Sequence, residues 1–202
     1  AMLVGMLPGG RIALIRWTAI LIALLTLVLA WGLLGWFDAR AEGVQWFEHY
    51  SWNPRMGTAI ALGLDGFSLP LVLLGTLLCL VALLASRGIR ERVKGYYALM
   101  LILESATLGV FMAQDWSIFY VFWELVLIPL FFLIDGWGGK NRHGAALNFV
   151  LYTMGGSVFM LIALLVVFDA VGVHSFAMAD LAEGGPRLNQ ETQVLIFLGL
   201  LV

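Results

Sequence analysis

The chain has 202 residues, 62% of them hydrophobic and only 12% charged, with a formal net charge of -2. Soluble domains are about 25% charged and 45 to 50% apolar, so a water-soluble fold is excluded, and the near-neutral balance without a basic face argues against nucleic acid as a partner. The mean hydropathy of +0.97 is concentrated in runs of about 20 residues, the length that crosses a ~30 Å hydrocarbon core.

In chain order, the first ten residues read as the tail of an apolar helix, and complete spans are expected over 17–37, 68–86, 95–114, 116–134 and 144–168. A sixth run begins near Thr192 and is cut off at Val202. The expectation is therefore an all-α integral membrane protein, one transmembrane domain over 1–202, with five complete transmembrane helices and partial ones at both ends. Opening on Ala1 and stopping inside a helix, the chain reads as a fragment of a longer protein. The first complete span is too long for a cleavable signal peptide and runs on into further spans.

Between the first two spans, residues 56–64 (MGTAIALGL) alternate small or polar with apolar residues, which predicts a short strand, followed by a turn and a helix start at Asp65-Gly66-Phe67-Ser68-Leu69-Pro70. Asp65 is expected to be a capping or turn residue rather than a catalytic one, with Ser68 and Pro70 capping and opening the helix. The single cysteine, Cys79, lies within the next span and reads as a small apolar packer. One thiol closes no disulfide within the chain and cannot hold an iron-sulfur cluster, which needs about four. The polar stretch 169–191 is expected to be an ordinary loop.

Basic residues alternate from loop to loop. Arg11 and Arg16, then Arg87, Arg90, Arg92 and Lys94, then Lys140 and Arg142 make up eight of the eleven Lys and Arg, and their loops are assigned to the cytoplasmic or equivalent side. Asp38, Glu42, Glu48, Asp115, Asp169, Asp180, Glu183 and Glu191 dominate the intervening loops. A sign that alternates at each crossing supports the helix count independently of hydropathy.

Inside this frame Glu124 stands alone in DWSIFYVFWELVLIPLFFLIDGWGG (115–139), with Pro129 five residues on. An ionisable group at mid-bilayer depth costs roughly 2.5 to 3.5 kcal/mol on insertion scales, and such groups pair, line hydrated cavities or carry protons. Gln114-Asp115 is the whole corner between two spans, so these must be antiparallel neighbours. Glu104, eleven residues before Asp115, and Glu124, nine after it, fall roughly 16 and 14 Å from the turn. Ser117, Tyr120 and Glu124 share one helix face, and Tyr97, Glu104 and Thr107 share another. Pro129 leaves the carbonyl of Leu125 without its helical donor, which favours a kink or a bound water beside the acid. The competing reading of Glu124, and more evenly of Glu104, is a protonated acid that holds helices together. In the next span Asn148, Tyr152, Thr153, Gly155, Gly156 and Ser157 suggest close helix packing, with Asn and Tyr bonding across it.

The chain shows no dinucleotide glycine fingerprint, clustered Cys or His, or nucleophile-base-acid set. His49, His143 and His174 fall in predicted loops and read as surface residues.

Three strings together, GLDGFSLPLVLL (63–74), FYVFWELVLIPLFFLIDGWGGKNR (119–142) and AALNFVLYTMGGS (145–157), resemble the subunit M family of bacterial NADH:quinone oxidoreductase, respiratory complex I, the counterpart of mitochondrial NADH dehydrogenase subunit 4. Multisubunit sodium/proton antiporters and membrane-bound hydrogenases share the acid-bearing helix, but the LIP after Glu124 and the WGG that follows look more like subunit M. The resemblance implies an antiporter-like, proton-translocating subunit of about 14 helices, of which this chain would hold helices two to six and the start of seven. Glu124 matches the family's essential acid on the fifth helix, whose lysine partner on the seventh would lie beyond Val202. Glu104 matches an acid that some relatives carry on the fourth helix, and Asn148 stands where many carry lysine.

The resemblance further implies that this chain binds no cofactor, with NADH, FMN, iron-sulfur clusters and quinone held by other subunits. Its partners would be the other membrane-arm subunits, neighbouring antiporter-like ones included, and the lipid of a bacterial inner membrane or an equivalent energy-transducing membrane. An antiporter or hydrogenase subunit, or a passive membrane scaffold, are the alternatives.

Overall fold

A computed structural model describes residues 1–6, 11–172 and 174–201, without the side chain of Arg187. Five helices have the length and composition to cross a membrane. They are α2 (Ile12–Gly32, extended by a 3-10 turn over Leu33–Gly35), α3 (Ser68–Ala85), α4 (Val93–Met112), α5 (Trp116–Trp137) and α6 (Arg142–Val171). Shorter helices are α1 (Met2–Met6), α7 (Met178–Gly184) and α8 (Gln190–Leu201), and a hairpin pairs β1 (Gln45–Asn53) with β2 (Thr58–Leu64). Of the predicted N-terminal helical tail, positions 7–10 lie outside the described residues, as does Val202 in the run that starts near Thr192.

The spans sit where hydropathy puts them, with boundaries moved by specific bonds. The helix predicted over 17–37 begins five residues earlier, since the Arg16 guanidinium is accommodated inside it by donating to the carbonyl of Ile89. A charged head that finds a carbonyl while its stem packs on apolar neighbours does not end a helix. The span predicted over 95–114 runs instead from Val93 to Met112, because Ala113 is extended and pairs with Leu62 of β2.

The strand expected over 56–64 is β2, and its antiparallel partner β1 carries aromatics at Trp46, Phe47, Tyr50 and Trp52 on a largely exposed ribbon. The polar stretch 169–191 is not the plain loop expected: it contains α7 and a 3-10 turn over Gly185–Arg187. His49 lies in β1 and His143 in α6, so neither is the loop residue expected; His143 pairs with Asp135 at the end of α5.

The interior is built from the first three spans. Ile15, Ala19 and Ala23 of α2, Leu83 of α3, and Tyr97 and Leu101 of α4 bury almost completely against Val4 of α1. Tyr97 keeps its hydroxyl satisfied there by donating to the carbonyl of Ser86 (3.3 Å). At the hairpin end Ala30, Leu64, Leu69 and Val72 form a second cluster. Further out α5 packs on α4, α6 on α5 and α8 on α6. At Gly109 a β-carbon would come within 2.4 Å of the Phe122 ring, so α4 and α5 approach closely because that position has no side chain. On α6 the close approach is at Ala163, 2.8 Å from where Gly199 of α8 would carry a β-carbon, while Gly155 faces open space. Large apolar side chains such as Leu21, Leu25 and Val28 point outward, as expected where the surrounding medium is hydrocarbon.

The start of α3 is fixed by Asp65 with Ser68 as its reciprocal partner, a division of labour different from the cap by Ser68 expected above. One Asp65 carboxylate oxygen accepts the backbone N–H groups of Phe67 (2.9 Å) and Ser68 (2.6 Å), and the Asp65 N–H donates to the Ser68 hydroxyl (2.8 Å). This is a capping box in which two helix-start donors are satisfied together. The Ser68 N–H, the largest influence, and then its hydroxyl and the Phe67 N–H hold the Asp65 carboxyl below its ordinary value of 3.8, against an opposing contribution from burial. The stabilisation is therefore whole above the unfolded-state pKa and is lost as pH falls through the lower native one. Asp65→Ala should cost about 1 kcal/mol at neutral pH. Melting curves of the full-length protein and the variant, taken at falling pH, should converge in acid; a constant gap would show that the carboxylate charge contributes nothing.

Candidate functional site

The site begins at the corner between α4 and α5. Asp115, just before the first residue of α5, is 1% exposed. One of its oxygens accepts the Ser117 backbone N–H (2.8 Å) and the Ser117 hydroxyl, and the other accepts the Ala59 N–H of β2 (3.3 Å). Backbone bonds complete the clamp. Gln114 donates to Ala61 (2.9 Å), Trp116 to Phe176 (2.9 Å), Met178 to Gln114 (3.0 Å) and Phe176 to Gly57 (3.1 Å). Gly57 has φ +64, and a β-carbon there would fall 2.0 Å from the carbonyl oxygen of His174. The corner is thus a short extended segment held between the hairpin and the stretch before α7, and it sets the height and rotation of α5.

From that anchor α5 rises through Tyr120 to Glu124, its ninth residue, roughly 12 Å along the axis from Trp116. Glu124 is half-buried, and its Oε1 is fully enclosed without a hydrogen-bond partner. One turn earlier Tyr120 adjoins both the Glu124 carboxylate and the buried Ser157 of α6. The Ser157 hydroxyl itself donates to the carbonyl of Met154 (3.1 Å). Pro129 is buried five residues beyond, and α5 continues through it to Trp137. Among the described residues no basic side chain lies within salt-bridge distance of Glu124.

Glu104 lies on the other side of the same helix pair. It is 7% exposed, with Oε1 again enclosed and unpartnered. Together with Cys79, Gly75 and Thr107 it lines a groove of about 260 Å³ between α3 and α4. Cys79 is therefore more than a packer, since its thiol adjoins the acid. The predicted polar stripe on α4 divides: Tyr97 is absorbed in the inner cluster, while Glu104 and Thr107 face the groove. The two acids thus have separate surroundings, Glu104 in the α3/α4 groove and Glu124 beside Tyr120, which itself neighbours Ser157 of α6.

On α6 Asn148 and Tyr152 are exposed, Tyr152 by 88%, and among the described residues neither makes the expected bond across the packing. The residue missed in the sequence is Asp115 as a buried node. Its capping of Ser117 was readable from an acid two residues before a serine at a helix start, whereas its bond to Ala59, 56 positions away, has no local signal.

Five apolar spans with isolated carboxylates enclosed among them, one beside a helix-interior proline, define a multi-pass membrane protein. The family model described as NADH:quinone oxidoreductase/Mrp antiporter, TM, matches residues 113–202. The chain is 38% identical over 190 residues to NAD(P)H-quinone oxidoreductase chain 4 of Prochlorococcus marinus (strain MIT 9515), covering 93% of this chain and 34% of that protein. A chain 4 protein of Picosynechococcus sp. is 36% identical over 203 residues, covering 100% of this chain and 36% of the relative. Residues 113–202 of this chain thus match the NADH:quinone oxidoreductase/Mrp antiporter transmembrane family model, and the chain is a homologue of the chain 4 proteins over 93% of its length.

Among solved structures, respiratory complex I from Thermus thermophilus with bound NADH contains a chain that superposes with TM-score 0.81 at 32% identity, over 91% of this chain and 38% of that one. The Mrp complex from Dietzia sp. shares the fold, with TM-score 0.80 at 20% identity, over 94% of this chain and 20% of its own. The chain spans about a third of the length of the curated relatives it matches.

Proposed function

We propose that this chain is part of a proton-translocating, antiporter-like membrane-arm subunit of an NADH:quinone oxidoreductase, in which quinone reduction elsewhere in the assembly drives proton movement through the bundle. The observation that carries this reading is the enclosed, unpartnered Oε1 of Glu124 in the middle of α5. A carboxylate that served only to join helices would direct both oxygens at donors, whereas one that loads and releases a proton needs a site whose partner is variable, such as water or a mobile cation. Tyr120 adjoins the acid and can donate to it or release it, and Ser157 extends the polar path toward α6.

Glu104 is a second acid in the same role, reached through the α3/α4 groove. NADH, flavin, iron-sulfur clusters and quinone would be held by other subunits of the assembly, and the membrane would be a bacterial inner membrane or its equivalent. The sister reading, a cation/proton antiporter subunit, shares the family model but is less well supported by identity, which is 36 to 38% with chain 4 proteins and 20% with the Mrp structure.

The test is to isolate the full-length protein from membranes in mild detergent and reconstitute what co-purifies into vesicles. Bound flavin together with proton uptake that depends on quinone reduction is the expected result. Sodium/proton exchange with no redox subunit would favour the antiporter, and an assembly that moves no ions would leave a scaffold.

A further inference from the structure

At the end of the bundle that carries Arg87, Arg90, Arg92 and Lys94, a recess of about 590 Å³ opens between α1, the start of α2 and the first turns of α4. Its chemistry is divided. Ile12, Val93 and Ala98 make an apolar wall, and Arg90, Arg92 and Lys94 supply the cationic rim. The loop that bears them is pinned in place: the Arg92 guanidinium lies 6.0 Å above the Trp137 ring, whose indole N–H donates to the carbonyl of Glu91 (2.9 Å). Among the described residues none of the three cations has a carboxylate within salt-bridge distance; Glu91 is the one acid in 87–94 and is exposed.

We propose that this recess seats the phosphodiester of an anionic phospholipid, with an acyl chain running along Ile12 and Ala98. Depth favours a lipid over a free anion. Val93 starts a 20-residue apolar span, which matches the hydrocarbon thickness, so the first turn of α4 lies at the boundary between headgroups and chains. There a phosphate meets the cations from the headgroup layer while the lipid tail continues down the apolar wall. Basic pockets between spans on the cytoplasmic side have the charge and depth for such headgroups. Arg and Lys serve differently, Arg90 as a planar two-point donor and Lys94 as a compact charge.

The experiment uses the full-length protein in its native assembly, in lipid nanodiscs containing either phosphatidylglycerol or phosphatidylcholine that bears the same photoreactive acyl chain, with crosslinks mapped by peptide mass spectrometry. Phosphatidylglycerol should label the Ile12 and Ala98 region in preference to phosphatidylcholine. The double variant Arg90→Gln/Lys94→Gln should lose the preference, by roughly fivefold in affinity for each cation removed. Arg90→Lys/Lys94→Arg, which keeps the charge, should retain most of it, and Arg55→Gln on the hairpin side should change nothing. Equal labelling by the two lipids, or a preference that survives the double variant, would overturn the proposal. Displacement of the lipid by inorganic phosphate would reassign the recess to a free anion.

Discussion

With Gln in place of Glu124, the full-length subunit is expected to assemble normally and to lose coupled proton translocation, by on the order of a hundredfold if the acid is an obligatory proton carrier. Gln has nearly the volume of Glu, so the packing of α5 against α4 and α6 is preserved, and a neutral amide at this depth lowers the cost of insertion. What disappears is the ability to gain and lose a proton. Glu124→Asp keeps the acid but retracts it by one methylene from Tyr120, and should retain a measurable fraction of the rate.

The measurement is pH-gradient formation in membrane vesicles driven by the physiological electron donor, alongside assembly assessed on native gels. A Gln variant that pumps normally would reduce Glu124 to a packing residue and remove the basis of the proposed function. Tyr120→Phe offers a graded companion: it deletes the adjoining hydroxyl while keeping the ring, so a carrier role predicts a smaller loss than for Gln.

Asp115→Ala is expected to destabilise the protein by about 2 to 4 kcal/mol. Loss of an N-cap costs about 1 kcal/mol, and the Ala59 N–H would be left buried without its acceptor, a penalty of about 1 to 3 kcal/mol. The loss should be local in origin, since the same carboxylate joins β2 to the start of α5. Thermal unfolding of the purified full-length protein and limited proteolysis of the hairpin would register it, with the hairpin becoming cleavable first. Asp115→Asn keeps one acceptor oxygen and should cost less than Ala. An Ala variant as stable as the parent would mean that the backbone bonds of Gln114, Trp116 and Met178 hold the corner unaided.

Much of this architecture was legible without coordinates, and for one reason. In hydrocarbon every backbone group must be satisfied within its own segment, so a run of about 20 apolar residues has little choice but helix. That is why 68–86 and 116–134 coincide closely with α3 and α5, and why Glu124 stood out at once as an acid in the wrong solvent. The antiparallel pairing of α4 and α5 was equally accessible, because so short a corner allows no other neighbour. Less accessible were the water-facing parts. Strand β1 is aromatic and polar by turns with two register shifts in its pairing, so its period is broken, and α7 is too short to show one.

The sequence by itself determined where the five long apolar helices lie, which of their ends carry the positive charge, and that two carboxylates fall near the middle of two of them. Those properties follow from transfer free energies that act residue by residue, whatever the neighbours. Only the tertiary structure decided which interface each acid occupies. Glu104 joins Cys79 in a groove beside α3 while Glu124 adjoins Tyr120, which in turn reaches Ser157 of α6, and Asp115 becomes a buried joint instead of a surface charge. Helix rotation depends on where side chains interlock, at contacts such as Gly109 with Phe122, and on hydrogen bonds between residues far apart in the chain, which no local pattern encodes.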